Sequence, residues 1–385
     1  MKKNVLIGCS FAFAVLLGAC GDQPTAPEAV APVTANPNAV SDRPAFDRAS
    51  VALPSGARVS HDLGAYITGA INPGDHVCAP TTVFDPLVEE FNLWVTTEPA
   101  GFDLLFNQLL ADILPQYEAI YLLTEDTPQE FGYHGQFTNA LNRTHKAAKR
   151  FWDIDGEGIH LVAMKGSMLL DEERVAAFYE TGVFGPVSPP LAALFASLIR
   201  QEIENSNVLN GGNFYLFSAN AFAVGEFPPL GIPDKIIMGD AVLELYELMD
   251  FGDVAPQAVY AHEYAHHVQF DNDYGLDQPG STGAERTRYT ELMADAMSAY
   301  FLTHKRGAAM NKHRVADFLE VFFQIGDCAF TNSGHHGTPD QRMRAAEWGF
   351  SLAAAAQKQG HILTAEQFNT AWLAAYPGIV APDAN

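Results

Sequence analysis

The run Ala255-Pro256-Gln257-Ala258-Val259-Tyr260-Ala261-His262-Glu263-Tyr264-Ala265-His266-His267-Val268-Gln269 decides how this chain is read. Its middle carries the spacing HExxH. On an α-helix, residues four apart share a face, so His262 and His266 can reach one metal ion together. Glu263 sits beside them, placed to take a proton from a water on that metal. The local sequence favours a helix here. Gly252 is read as the end of a preceding helix, Asp253 as the N-cap, and Pro256 as a first-turn proline, where a missing N–H costs nothing. Apart from the motif the helix is apolar, through Ala258, Val259, Ala261, Ala265 and Val268. Such a helix is expected to be buried, and its buried polar groups then need partners. A metal supplies one.

A third ligand is at hand in Tyr289-Thr290-Glu291-Leu292-Met293-Ala294-Asp295-Ala296-Met297, which reads as a second helix. Glu291 and Asp295 share a face of it. Glu291 is the expected ligand, and Asp295 the carboxylate that accepts a hydrogen bond from a ligand histidine and so fixes its tautomer. Ala294, Ala296 and Ala299 are small enough to let this helix approach another closely. Two histidines and one carboxylate leave the fourth position of a tetrahedral ion open, which is the pattern of a catalytic site rather than a structural one. No cysteine cluster competes. His336, in a glycine-flanked loop before a helix start, is the candidate for stabilising charge on a reacting oxygen. Tyr260, Tyr264 and Tyr289 are further candidates for that role. His134, His145, His160 and His304 stand alone in sequence and read as structural.

With these residues in place, the chain resembles the neutral zinc metallopeptidases of bacteria, a gluzincin-like family. The resemblance covers the C-terminal two-fifths. It rests on Ile236-Ile237-Met238-Gly239-Asp240, on Ala261 to Gln269 with its HExxH, on Glu291-Leu292-Met293-Ala294-Asp295, and on His336-Gly337-Thr338-Pro339-Asp340-Gln341-Arg342. It implies one Zn2+ per chain on His262, His266 and Glu291, Glu263 as general base, and a supporting role for Asp295. Where the family has glycine, this chain has Ala265. The implied activity is hydrolysis of peptide bonds in a peptide or protein substrate. Two rivals stand beside it: a zinc amidase, and a catalytically idle lipoprotein that binds other envelope proteins. The family's strand before the active-site helix makes residues 236–238 the candidate edge strand for an extended substrate.

The rest of the chain sets the context. It has 385 residues, 48% of them hydrophobic, and a formal net charge of −24. That length buries one large core or two modest ones. With that charge and no basic patch, nucleic acid is not an expected partner. The 26 Phe and 13 Tyr are read as core. Lys2 and Lys3 precede an apolar run that ends in Leu17-Gly18-Ala19-Cys20, which resembles a bacterial lipobox. Residues 1–19 are therefore expected to be a lipoprotein signal peptide, with Cys20 lipidated and the protein exported and anchored to a membrane of the envelope. Residues 20–58, rich in Pro, Ala and Thr, read as a disordered tether. Of the remaining cysteines, Cys78 and Cys328 are expected to pair in an oxidising compartment.

The expected fold is α+β: a mostly helical, zincin-like catalytic domain with a small sheet at 231–380, preceded by a helical N-terminal region at 59–230. Helical periodicity runs through 84–120, 171–179, 189–204, 289–297 and 315–325, and 134–152 reads as helix or loop. Strands are expected at 158–164, 213–218 and 235–239. Thr338-Pro339-Asp340-Gln341 and Thr364 to Gln367 are capping boxes that open two more helices.

Overall fold

The computed structural model describes residues 46, 51, 53–60, 85–210, 215–275, 283–324, 335–356 and 360–381. Cys9, Cys20, Cys78 and Cys328 lie outside them, so the signal, lipidation and disulfide readings do too. The fold is mostly helical with one small sheet. In chain order the elements are α1 (Asp85–Thr97), α2 (Leu114–Tyr121), α3 (Thr138–Ala148), β1 (His160–Met164), α4 (Glu172–Glu180), α5 (Pro189–Asn205), β2 (Ala221–Val224), β3 (Lys235–Gly239), α6 (Asp240–Leu248), α7 (Ala255–Asn272), α8 (Gly283–Thr303), α9 (Lys312–Gln324), α10 (Pro339–Ala356) and α11 (Ala365–Ile379). None of the helices among the described residues is long and apolar enough to cross a membrane.

Several local expectations fail for identifiable reasons. Residues 215–218 form a helical turn, not a strand, and the strand lies just beyond it at Ala221-Phe222-Ala223-Val224. All four of those residues are buried, so no alternation marks them in sequence. The strand at 235–239 forms where expected, but it is not an edge. The order is β1-β3-β2, with β3 parallel to β1 and antiparallel to β2. A strand buried on both faces reads as a continuous apolar run, as Ile236-Ile237-Met238 does. The start of α7 is also shifted. Its N-cap is Val254, not Asp253, and α6 closes through Asp250 in the left-handed region (φ +63°) rather than at Gly252. Pro256 does fall in the first turn of α7. Both capping boxes form: Thr338 and Gln341 exchange backbone N–H to side-chain bonds of 3.2 Å, and Thr364 and Gln367 do the same at 3.1 Å.

Pro44–Asn385 form one compact unit. The sheet takes β1 and β2 from before position 230 and β3 from after it, and the cores run across that position as well. One cluster joins Leu141, Phe151 and Trp152 to Tyr260, Leu292 and Phe318; another joins Leu105 and Phe178 to Ala241 and Leu245. The body also takes in residues assigned to the tether. Phe46 is buried and stacks on Tyr179 at 5.5 Å, and the Arg58 carbonyl accepts from Gly225 N–H at 2.8 Å, beside the bridge of Val59 to Val224. An apolar ring and a strand edge both gain by leaving water, which holds this part of the chain down.

The helices that matter for the site pack unusually closely. A Cβ on Gly349 of α10 would stand 2.0 Å from the carbonyl oxygen of Ala296 on α8, so glycine there lets the two backbones touch. Ala294, Ala296 and Ala299 of α8 are all buried, in keeping with the close approach that the sequence suggested. Ser298 Oγ donates to the Ala258 carbonyl (3.1 Å), tying α8 to α7. His267 Nε2–H donates to the Lys235 carbonyl (2.9 Å), tying α7 to β3.

Candidate metal centre

The geometry is built on α7 and α8, two helices buried nearly throughout. His262 and His266 lie one turn apart on α7, and Glu291 faces them from α8. All three are buried, and their ligand atoms lie within 4.8 Å of one another; the trio could hold a metal ion. His262 Nε2 is 3.1 Å from His266 Nε2 and 3.1 Å from Glu291 Oε2, and His266 Nε2 is 3.4 Å from Glu291 Oε1. The two contacts of Glu291 fall on different oxygens, one toward each imidazole, so the carboxylate spans the pair.

The tautomers are set from outside the trio. His262 Nδ1–H donates to Asp295 Oδ1 at 2.8 Å. Asp295 is held in turn by Arg342, which donates Nη2–H to Oδ1 (2.6 Å) and Nε–H to Oδ2 (2.8 Å). On the other side, Gln269 Nε2 donates to the Thr290 carbonyl (2.8 Å), which turns Gln269 Oε1 toward His266 Nδ1–H at 2.9 Å. Both rings therefore direct Nε2 inward. Two bare imidazole lone pairs at 3.1 Å repel, and a carboxylate stands beside them with Oε1 making no hydrogen bond among the described residues. A positive charge between them resolves the conflict. In the protein without metal that charge is a proton on His262. Burial pushes this imidazole down, but the hydrogen bonds and charges of Asp295 and Glu291 outweigh it and raise it to about 10. His266 is driven the other way, to about 4, by burial above all, with Glu291 opposing. Glu291 is held well below the usual carboxylate range: burial would raise it, but the charges of His266 and His336 and the bond to His262 prevail. A donor set of two neutral imidazoles and one carboxylate suits a divalent cation of borderline softness.

Glu263, beside the trio, is 5% exposed. Burial raises its carboxyl to about 7, with His262 opposing and Glu291 assisting. Its Oε2 accepts a hydrogen bond from Ser60 Oγ at 3.0 Å.

The other predicted residues divide. His336 is half-buried in the loop before α10, close enough for its charge to act on Glu291. The loop needs Gly337, which has φ +107° and whose Cβ would meet Leu292 Cδ2 at 2.9 Å. The tyrosines point elsewhere. Tyr260 OH pairs with His145 Nδ1 (2.7 Å), Tyr289 packs edge-on to Tyr376, and Tyr264 OH lies against Gly156. His145, His160 and His304 each bond within the scaffold, to Tyr260, the Glu125 N–H and the His361 carbonyl, and His134 is exposed. Three contributors were missed. Gln269 could have been found, since it lies three residues after His266 on the same helix face. Arg342 carried no distinct signal, since it stands in the polar run Asp340-Gln341-Arg342 near a second arginine, Arg344, that bonds backbone carbonyls. Ser60 carried no signal. Scans of known family models, curated proteins and solved structures return no match for this chain.

Proposed function

We propose that the chain is a zinc-dependent metallopeptidase, with zinc on His262, His266 and Glu291 and Glu263 as general base. The observation that carries the reading is the buried, tautomer-fixed trio with Glu263 next to it. Donor atoms bound to a tetrahedral zinc at about 2.0–2.1 Å stand roughly 3.3 Å apart; the two Nε2 atoms are 3.1 Å apart, and Glu291 places one oxygen 3.1 Å from the first and the other 3.4 Å from the second, so an ion of that size has its donors at hand. Zinc bound there would supply Lewis acidity toward a water and a substrate carbonyl. The chain's own residues do the rest. Glu263, whose carboxyl burial raises in the metal-free protein, is the group next to the trio that can carry a proton. It takes the proton of the attacking water at its carboxylate and returns it to the leaving amine nitrogen. Asp295, braced by Arg342, and Gln269 keep both imidazoles presenting Nε2. His336, near Glu291, is the group we assign to charge developing on the carbonyl oxygen. The zincin-like fold and lipid anchoring through Cys20 at the bacterial envelope belong to the same proposal, on the sequence evidence alone.

The test is zinc content together with hydrolysis of casein by wild type, Glu263→Gln and Glu291→Ala. The expected result is one zinc per chain in wild type and in Glu263→Gln, and little in Glu291→Ala. Hydrolysis should fall by about 10²–10⁴-fold in Glu263→Gln. Full zinc in folded Glu291→Ala would remove it from the ligand set, and undiminished activity in Glu263→Gln would end the general-base assignment.

A further inference from the structure

The outer edge of β2 is occupied by the chain's own N-terminal segment. Ser60 N–H donates to the Ala223 carbonyl (3.0 Å), and Gly225 N–H donates to the Arg58 carbonyl (2.8 Å), flanking the antiparallel bridge between Val59 and Val224. Ala223 N–H donates to Ser60 Oγ (2.9 Å), and that hydroxyl in turn donates to Glu263 Oε2 (3.0 Å). Arg58 reaches the last turn of α7, where Nη1 donates to the Phe270 carbonyl (2.7 Å) and the guanidinium lies 5.3 Å above the Phe270 ring. Gly225 makes room for it, since a Cβ there would meet Arg58 at 3.0 Å. The segment thus lies extended along a sheet edge and ends with a hydroxyl on the Glu263 carboxylate.

Free strand edges bind extended peptides through main-chain bonds, with side chains alternating between pockets and solvent. The occupant here is attached lightly. Residues 58–60 are all half-buried, whereas every residue of β2 and β3 is buried. Among the described residues, two main-chain bonds, one arginine and one serine hold them. We propose that Arg58-Val59-Ser60 is an intramolecular stand-in for substrate: it fills the peptide-binding edge of β2 and holds Glu263 until an extended peptide displaces it. The inference rests on the peptidase reading for what the site does, but not for what the edge binds. A protein whose binding-competent form is a fraction of the whole binds more weakly by that fraction, so fixing or loosening the segment must move affinity.

Val59 and Val224 form a non-hydrogen-bonded antiparallel pair, the kind whose Cα atoms stand about 4.5 Å apart, within the span that a disulfide bridges. The experiment uses the full chain with Val59→Cys and Val224→Cys, oxidised and then reduced, with wild type taken through the same treatment to account for the native cysteines. Fluorescein-labelled casein peptides are the probe. Binding is read by anisotropy with and without zinc, and hydrolysis by release of fluorescence. The expected result is that the reduced pair binds like wild type and the oxidised pair about ten-fold or more weakly. Ser60→Pro, which deletes both the N–H and the hydroxyl, should bind several-fold more tightly than wild type. Equal binding by the locked and unlocked forms overturns the proposal, and so does absence of binding in every form including Ser60→Pro. Binding that follows the lock without hydrolysis in any form keeps the displaced segment and overturns the peptidase reading instead.

Discussion

Replacing Asp295 with asparagine probes the support of the site without touching a ligand. Three donors converge on this carboxylate: His262 Nδ1–H, Arg342 Nη2–H and Arg342 Nε–H. Both Asp295 oxygens are used, and the residue is fully buried. Asparagine offers one oxygen and one NH2 group in the same volume. Whichever way the amide turns, at least one buried donor faces another donor, which costs about 1–3 kcal/mol. Arg342, 2% exposed, also keeps its charge and loses its partner's. Breaking a buried ion pair from one side costs about 3–5 kcal/mol, which is the larger effect and already contains part of the first. The metal-free protein should therefore lose about 3–5 kcal/mol in urea unfolding. Zinc affinity, measured by competition with a chromophoric chelator, should fall 10–100-fold because His262 is no longer held in one tautomer. If Asp295→Asn binds zinc within two-fold of wild type, the carboxylate does not orient His262 and the account of the trio is mistaken. If stability is unchanged, the charge of Glu291, which also acts on Arg342, suffices to compensate it.

Three further outcomes follow from the packing and charges of these helices. Zinc uptake at pH 7 should release about one proton, because metal displaces the one that His262, raised to about 10, holds in the metal-free protein; calorimetry in buffers of different ionisation enthalpy reads it, and no release would contradict the protonated trio. The sign for stability is fixed by the same shift. A histidine whose folded value lies above its unfolded one stabilises fully below about pH 6.5 and loses that contribution as pH climbs; up to about pH 8, where buried Lys235 begins to act in the opposite sense, the metal-free protein weakens while the thermal shift given by zinc grows. Gly349→Ala should destabilise by about 1–3 kcal/mol, the reverse of the gain that alanine usually brings inside a helix, since its methyl would strike the Ala296 backbone; equal or higher stability in urea would show that α8 and α10 can part.

Much of this site could be read from the chain because helices obey a short period. His262, Glu263 and His266 are fixed relative to one another by helix geometry, and Glu291 and Asp295 likewise, so each group was legible from spacing alone. What joins the groups was not. Nothing in the order of residues says that Arg342 sits under Asp295 or that Gln269 is turned by the Thr290 carbonyl, because both follow from how α7, α8 and α10 cross. Two of the three strands were legible: 158–164 and 235–239 were expected and form as β1 and β3. Lys235 to Gly239 announced itself by an apolar run, whereas Ala221 to Val224 is too short and too uniformly buried to differ from a helical fragment. The aromatic stretch before it, Tyr215-Leu216-Phe217, suggests a strand, yet it is a helical turn feeding β2. The placement of Ser60 on Glu263 is the extreme case, since a serine in a polar stretch signals nothing until β2 is known.

The distribution of these groups along the chain also governs when the site can exist. Arg342 comes some fifty residues after the second ligand helix begins to supply Glu291 and Asp295, and it neutralises a carboxylate that would otherwise be buried with His262 alone. A chain growing from its N-terminus, or crossing a membrane in that direction, can complete α7 and α8 and still lack the brace that makes their meeting favourable. The support of the trio is therefore shared between helices far apart in the chain, and it is complete only when α10 has packed against α8.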